Sequence, residues 1–117
     1  MKKNFLLFTI CPLLSFADTS INTLFSQEVS LTDELNMTIQ IKESDGGVLI
    51  PQHTHPYLGT VYLISGQVEV DIEGEKTLYK AGDSWLEPKN KIHSGKSIGP
   101  IKYFVVYHHQ PGQPYTN

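Results

Sequence analysis

From Gln67 to Glu73 every second residue is apolar: Val68, Val70 and Ile72 alternate with Gln67, Glu69, Asp71 and Glu73. Successive side chains on an extended strand point to opposite faces, so this period of two makes a ribbon with one dry and one wet face. Such a ribbon is stable only when its dry face meets another apolar surface. The same period runs from Asn36 to Lys42, where Met37, Ile39 and Ile41 alternate with Asn36, Thr38, Gln40 and Lys42, and one dry face is expected there too.

Turn chemistry separates these runs. Asp45-Gly46-Gly47 precedes an extended Val48 to Ile50, and Glu73-Gly74-Glu75 precedes Thr77 to Tyr79. Ala81-Gly82-Asp83 precedes Ser84 to Leu86, after which Pro88 stops the ladder, because proline lacks the N–H that a ladder needs. Ser65-Gly66 after Gly59 to Ile64 reads as the turn of a hairpin, and the last strand is Ile101 to His109. Thr32 to Leu35 is suited to a turn, and helical periodicity is absent beyond the first residues. Many short strands at regular spacing predict an all-β sandwich or barrel.

The chain has 117 residues, enough for one domain, and 39% hydrophobic with 18% charged residues is an ordinary globular balance. Collagenous, disordered and multi-domain readings are disfavoured. Nine lysines without an arginine or a basic run, at a net charge of −3, give no electrostatic footprint for a phosphate backbone, so no nucleic-acid partner is expected.

Lys2 and Lys3, the apolar run Phe5 to Leu14 and the small residues Ser15 and Ala17 around Phe16 have the pattern of a secretory signal ending at Ala17. The run is too short to span a bilayer, and Pro12 interrupts it. A periplasmic or secreted protein with no membrane contact after signal removal is expected. Cys11 would leave with the signal, so the exported domain has no disulfide, and a core of about 100 residues needs a compact sheet, a metal or a second subunit. In Gly59 to Ile64, Val61 and Leu63 share one face while Tyr62 and Ile64 share the other. Only one of these faces can line a core, which points to a homodimer covering the second.

His53 and His55 are two residues apart and project from one face of an extended chain, close enough to share an ion. Two packed or exposed histidines are the plain alternative. His93, beyond Pro88 and a turn-rich stretch, offers the third imidazole that an open metal site requires. His108 and His109 face opposite sides of the last strand and read as packed or rim residues, while Tyr57, Tyr62, Trp85 and Tyr103 read as core or interface aromatics.

The spacing resembles that of the cupins. Gly47, five residues, His53-Thr54-His55 and a closing Gly66 look like the first cupin motif, and Gly82, five residues, Pro88 and His93 look like the second. The resemblance spans about residues 36 to 114 and implies a single jelly-roll β-barrel, an antiparallel double sheet with little helix. Together with the signal pattern at the start, the expected division is a signal peptide (1–17), an N-terminal arm (18–35), the barrel (36–110) and a C-terminal tail (111–117). The resemblance also implies a site for one divalent metal on His53, His55 and His93.

Three departures from the family pattern bear on chemistry. Gly59 stands where a glutamate ligand is usual, three residues beyond the second histidine; Asn90 replaces a turn glycine; and Ser97 replaces an asparagine. Asparagine also accepts a positive φ. Glycine at position 59 is expected to leave a gap open to water or a substrate atom. Three imidazoles without a carboxylate suit iron, zinc, copper or nickel, and suit manganese less. Glu87, beside Pro88, is the nearest carboxylate to the second motif and is suited to accept a hydrogen bond from an imidazole or to face water.

Two functions fit this pattern. One is a metal-dependent enzyme, for which the resemblance implies dioxygenase-like or isomerase-like chemistry on a small-molecule substrate. The other is a non-catalytic module for a small ligand or a metal, including a degenerate cupin that binds none. An open pocket with a carboxylate or tyrosine facing the metal favours the enzyme; a filled barrel mouth favours the module.

Overall fold

Residues 20–117 are described by the structure, a computed structural model; the expected signal and Cys11 lie outside them. The turn-separated runs become seven strands: β1 (Asn22–Thr32), β2 (Leu35–Ser44), β3 (Leu49–His53), β4 (Gly59–Ile72), β5 (Glu75–Lys80), β6 (Ser84–Glu87) and β7 (His93–His109). There is no helix among the described residues. All pairings are antiparallel, in the order β1-β2-β7-β4-β5, with β3 added to β7 and β6 to β4. The segment read as an N-terminal arm is largely strand β1, paired along β2.

Two long strands make the double sheet. The first half of β7 lies between β3 and the second half of β4, whereas the second half of β7 lies between β2 and the first half of β4. Each of these strands therefore passes from one sheet into the other. Val61, Leu63, Trp85, Ile101 and Val105 from one sheet pack with Val48, Val68 and Val70 from the other in a single buried core. This is the all-β jelly roll that the motifs implied.

Ser65-Gly66 is not a hairpin turn. β4 continues through it to Ile72, with its register against β7 slipping on both sides of Ser65. Gly66 has φ 90°, and a Cβ there would stand 2.2 Å from the carbonyl oxygen of Pro100. The glycine thus permits β4 and β7 to bend past each other where they change sheets. The reversal after β4 comes at Glu73 (φ 51°) and Gly74 (φ 91°), and Asn90 takes φ 58° in the position expected to need it.

β2 also turns opposite to expectation. Thr38 and Gln40 are the buried residues, and the apolar Met37, Ile39 and Ile41 lie half-buried on the outer side. The polar face can be inside because it finds partners there. Thr38 Oγ1 lies 2.7 Å from His109 Nε2, and Gln40 Nε2 donates to Ser26 Oγ at 3.2 Å and to Tyr115 Oη at 3.1 Å.

Candidate metal centre

The β3–β7 ladder sets His53 directly opposite His93, so two histidines forty residues apart in sequence meet as a cross-strand pair. His55 lies just past the end of β3, where backbone bonds replace the ladder: Thr54 exchanges bonds with Asn117, and Asn90 N donates to His55 O at 2.8 Å. The ring centroids are 4.1 Å apart for His53 and His93, 4.9 Å for His53 and His55, and 4.8 Å for His55 and His93. One ligand nitrogen from each lies within 4.8 Å of the other two, so the three histidines can hold a metal ion. His55 and His93 are 1% and 2% exposed.

Backbone carbonyls fix how each imidazole presents itself. His53 Nδ1 lies 2.7 Å from Pro51 O, His55 Nδ1 2.8 Å from Tyr115 O, and His93 Nδ1 3.0 Å from Lys91 O. A carbonyl oxygen only accepts, so each Nδ1 carries the hydrogen, and each Nε2 of a neutral ring keeps its lone pair. His93 Nε2 is buried with no hydrogen-bond partner.

Glu87, the last residue of β6, adds a carboxylate to this group. Its Oε1 lies 3.1 Å from His55 Nε2 and 3.5 Å from His93 Nε2, while Oε2 accepts from Trp85 Nε1 at 3.3 Å. Carboxylate and imidazole lone pairs repel unless a proton or a metal cation stands between them. Burial alone would raise the Glu87 pKa, but the imidazoles of His55 and His93 facing it hold it down at about 2. For His93 burial works downward, but the nearby Glu87 carboxylate and the Lys91 carbonyl together outweigh it and raise the pKa, whereas burial lowers His53. This set of acceptors, buried at His55, His93 and Glu87 and half-buried at His53, has no donor among them and fits a divalent cation.

Position 59 does not hold the expected gap. Gly59 pairs with Glu87 across β4 and β6, and a Cβ on Gly59 would lie 3.6 Å from both Glu87 Cβ and Glu87 Oε1. The Glu87 side chain occupies that space. Ser97, in place of the family's asparagine, accepts from Val48 N at 2.7 Å and so ties down the turn before β3.

A cavity of about 50 Å³ opens beside the histidines, lined by Val61, Leu63, Val68, Val70 and the rings of Tyr103 and Tyr107, among others. Burial, reinforced by the negative charge of Glu87, pushes both phenols well above the usual tyrosine range, so they stay protonated. Tyr103, expected as a packing aromatic, therefore also lines the site. His109 is buried against Thr38, and His108 lies 3.3 Å from Leu58 O; neither joins the three histidines. Tyr115, which single-sequence reasoning passed over, stacks on Tyr107 with centroids 4.6 Å apart and brings its carbonyl to His55. No local pattern marks a carbonyl as the partner of a histidine sixty residues away.

A jelly roll with histidines from β3, the following loop and β7 gathered at one cavity defines a metal-capable cupin. Residues 41–107 match the family model described as Cupin domain, and the chain belongs to that family. Among curated proteins it is 32% identical over 69 residues to Polyketide synthase CurC of Streptomyces cyaneus, covering 58% of this chain and 45% of that protein. It is 30% identical over 70 residues to Pectin degradation protein KdgF of Dickeya dadantii (strain 3937), covering 60% of this chain and 63% of that protein. These matches span less than two thirds of either relative. Among solved structures, KdgF from Halomonas sp. has the same fold, with TM-score 0.55 and 21% identity over 80% of this chain and 87% of that one. A Klebsiella pneumoniae protein with a double-stranded β-helix domain gives TM-score 0.60 and 25% identity over 80% of this chain and 76% of that one.

Proposed function

We propose that the protein binds one divalent metal through His53, His55 and His93 and uses it to bind and polarise the oxygen-donor group of a small molecule. The observation that carries this reading is the set of three Nδ1 atoms committed to carbonyls, which leaves the Nε2 lone pairs for a ligand in a cluster whose ligand nitrogens lie within 4.8 Å of one another. A bound metal of this kind supplies Lewis acidity. Val61, Leu63, Val68 and Val70 give the cavity an apolar wall, and a low-dielectric wall strengthens electrostatic interactions beside it. Tyr103 and Tyr107, held protonated, are donors for an oxygen on which negative charge develops. Protonated phenols beside an open cavity favour an enzyme over a passive module. About 50 Å³ admits a few water-sized groups, hence the reacting head of a ligand rather than its whole body. The names of two relatives, for pectin degradation and polyketide synthesis, suit an oxygen-rich small molecule.

Two further parts of this reading concern the whole protein. Export rests on the lysine-led apolar run ending at Ala17, and N-terminal sequencing of protein from host cells would find Asp18 first. A homodimer is supported by the outer face of one sheet. There Ile39, Ile41, Phe104, Val106, Tyr62 and Leu86 lie in register across β2, β7, β4 and β6. The metal reading is tested with a His53→Ala/His55→Ala variant, which keeps its β circular dichroism and loses metal retained through purification. Undiminished metal content would overturn it.

A further inference from the structure

We propose that Glu87 is a fourth metal ligand, supplied from β6 into the space above Gly59, so that the centre has three imidazoles and one carboxylate. The inference rests on the metal reading above and adds a residue to it. Glu87 is buried, and its Oε1 faces the Nε2 atoms of His55 and His93 at 3.1 and 3.5 Å. Both rings hold their hydrogen on the far nitrogen, against Tyr115 O and Lys91 O. Oε1 therefore has lone pairs where the neutral rings have lone pairs.

A single proton between Oε1 and His55 would satisfy only that pair. His93 Nε2 would remain buried and without a partner. One cation at the meeting point satisfies the carboxylate and the imidazoles together. The other carboxylate oxygen is already held by Trp85 Nε1 at 3.3 Å, so the indole aims Oε1 at the histidines. Trp85 is itself stacked on Tyr79 at 4.3 Å, which fixes the indole.

The register explains why a glycine stands opposite. Gly59 and Glu87 face each other in the β4–β6 ladder, and a side chain at 59 would enter the volume that Glu87 fills. Its Cβ contacts would all be at 3.6 Å, an ordinary packing distance, and so a carboxylate can be offered from either strand of this pair but not comfortably from both. With Glu87 as a ligand the site carries one negative charge, which offsets half the charge of a divalent ion. Manganese and iron(II), which prefer oxygen donors, are then acceptable as well as zinc.

Cobalt(II) titration followed by visible absorption tests the assignment, because band position and intensity report the number and kind of donors. Glu87→Gln, which keeps the volume and an acceptor for Trp85, should lose affinity by ~100-fold and shift the bands. Glu87→Ala should do the same, and Gly59→Glu/Glu87→Ala should regain affinity to within ~10-fold of the unaltered protein by offering the carboxylate from β4. Circular dichroism checks that every variant keeps the sheet. A Glu87→Gln protein with unchanged affinity and unchanged bands overturns the ligand role while leaving the three-histidine site standing. An unaltered protein that binds no cobalt overturns both.

Discussion

His55 donates through Nδ1 to the carbonyl oxygen of Tyr115 at 2.8 Å, a bond between residues sixty positions apart. The C-terminal segment is held there by the Tyr115 ring on Tyr107, by the hydroxyl on Gln40 and by the backbone exchange of Asn117 with Thr54. Removing the ring should free the segment without disturbing the core. Tyr115→Ala is expected to keep the β-fold, lose about 1–2 kcal/mol of stability and weaken metal affinity by ~10-fold, because His55 loses the acceptor that fixes its tautomer. Chelator competition with zinc measures the second effect, and unchanged affinity would show that His55 is oriented without Tyr115.

Assembly gives a prediction of its own. Tyr62 and Ile64 are 45% and 40% exposed, opposite the buried Val61 and Leu63, and Leu86 at 56% lies on the same outer side as Tyr62. Ile64→Lys puts a charge on that face, costing little in a monomer and much in a contact that excludes water. Sedimentation should find the unaltered protein dimeric and the variant shifted toward monomer, with the same circular dichroism. A monomeric unaltered protein would remove the argument.

Strand periods and turn glycines were legible because they are local: Val68 to Ile72, Gly74, Gly82 and Asn90 stand as expected. The direction of β2 was not. Alternation says that Thr38 and Ile39 face opposite ways, but which way is inward depends on His109, Tyr115 and Ser26, all distant in sequence. The hairpin at Ser65-Gly66 failed for a related reason, since a glycine that reverses the chain and one that lets a strand pass Pro100 look alike in sequence. His53, His55 and His93 could be grouped by motif spacing, yet Glu87 needed the β4–β6 register to bring it over Gly59.

Gly66 and Gly74 separate backbone strain from crowding. Both have φ near 90°, but a Cβ at Gly66 meets Pro100 O at 2.2 Å whereas one at Gly74 meets nothing within 4 Å. Gly74→Ala should cost about 1 kcal/mol, the price of a left-handed alanine, and Gly66→Ala about 3 kcal/mol or more, since a backbone oxygen cannot move aside cheaply. Chemical denaturation of both variants decides. Equal losses would mean that the crossing of β4 and β7 is more yielding than its geometry indicates.

The coupling of Glu87 to His93 predicts the pH dependence of the metal-free protein. Glu87 is lowered from 4.5 to about 2, so the stability it contributes is present above pH 4.5 and is lost as pH falls toward 2. His93 is raised above its usual 6.5, so its contribution is complete below 6.5 and is lost as pH rises through the raised value. His53 acts in the opposite sense, because burial lowers it and the fold then resists the proton that an unfolded chain accepts below 6.5. The difference in unfolding free energy between the unaltered protein and Glu87→Gln cancels the burial of His53, which both share, and leaves what the Glu87 charge adds. With chelator present, that difference should reach on the order of 2–3 kcal/mol between pH 4.5 and 6.5 and shrink on both sides. A difference that does not shrink below pH 4.5 or above 6.5 would mean that the carboxylate and the imidazole titrate independently of each other.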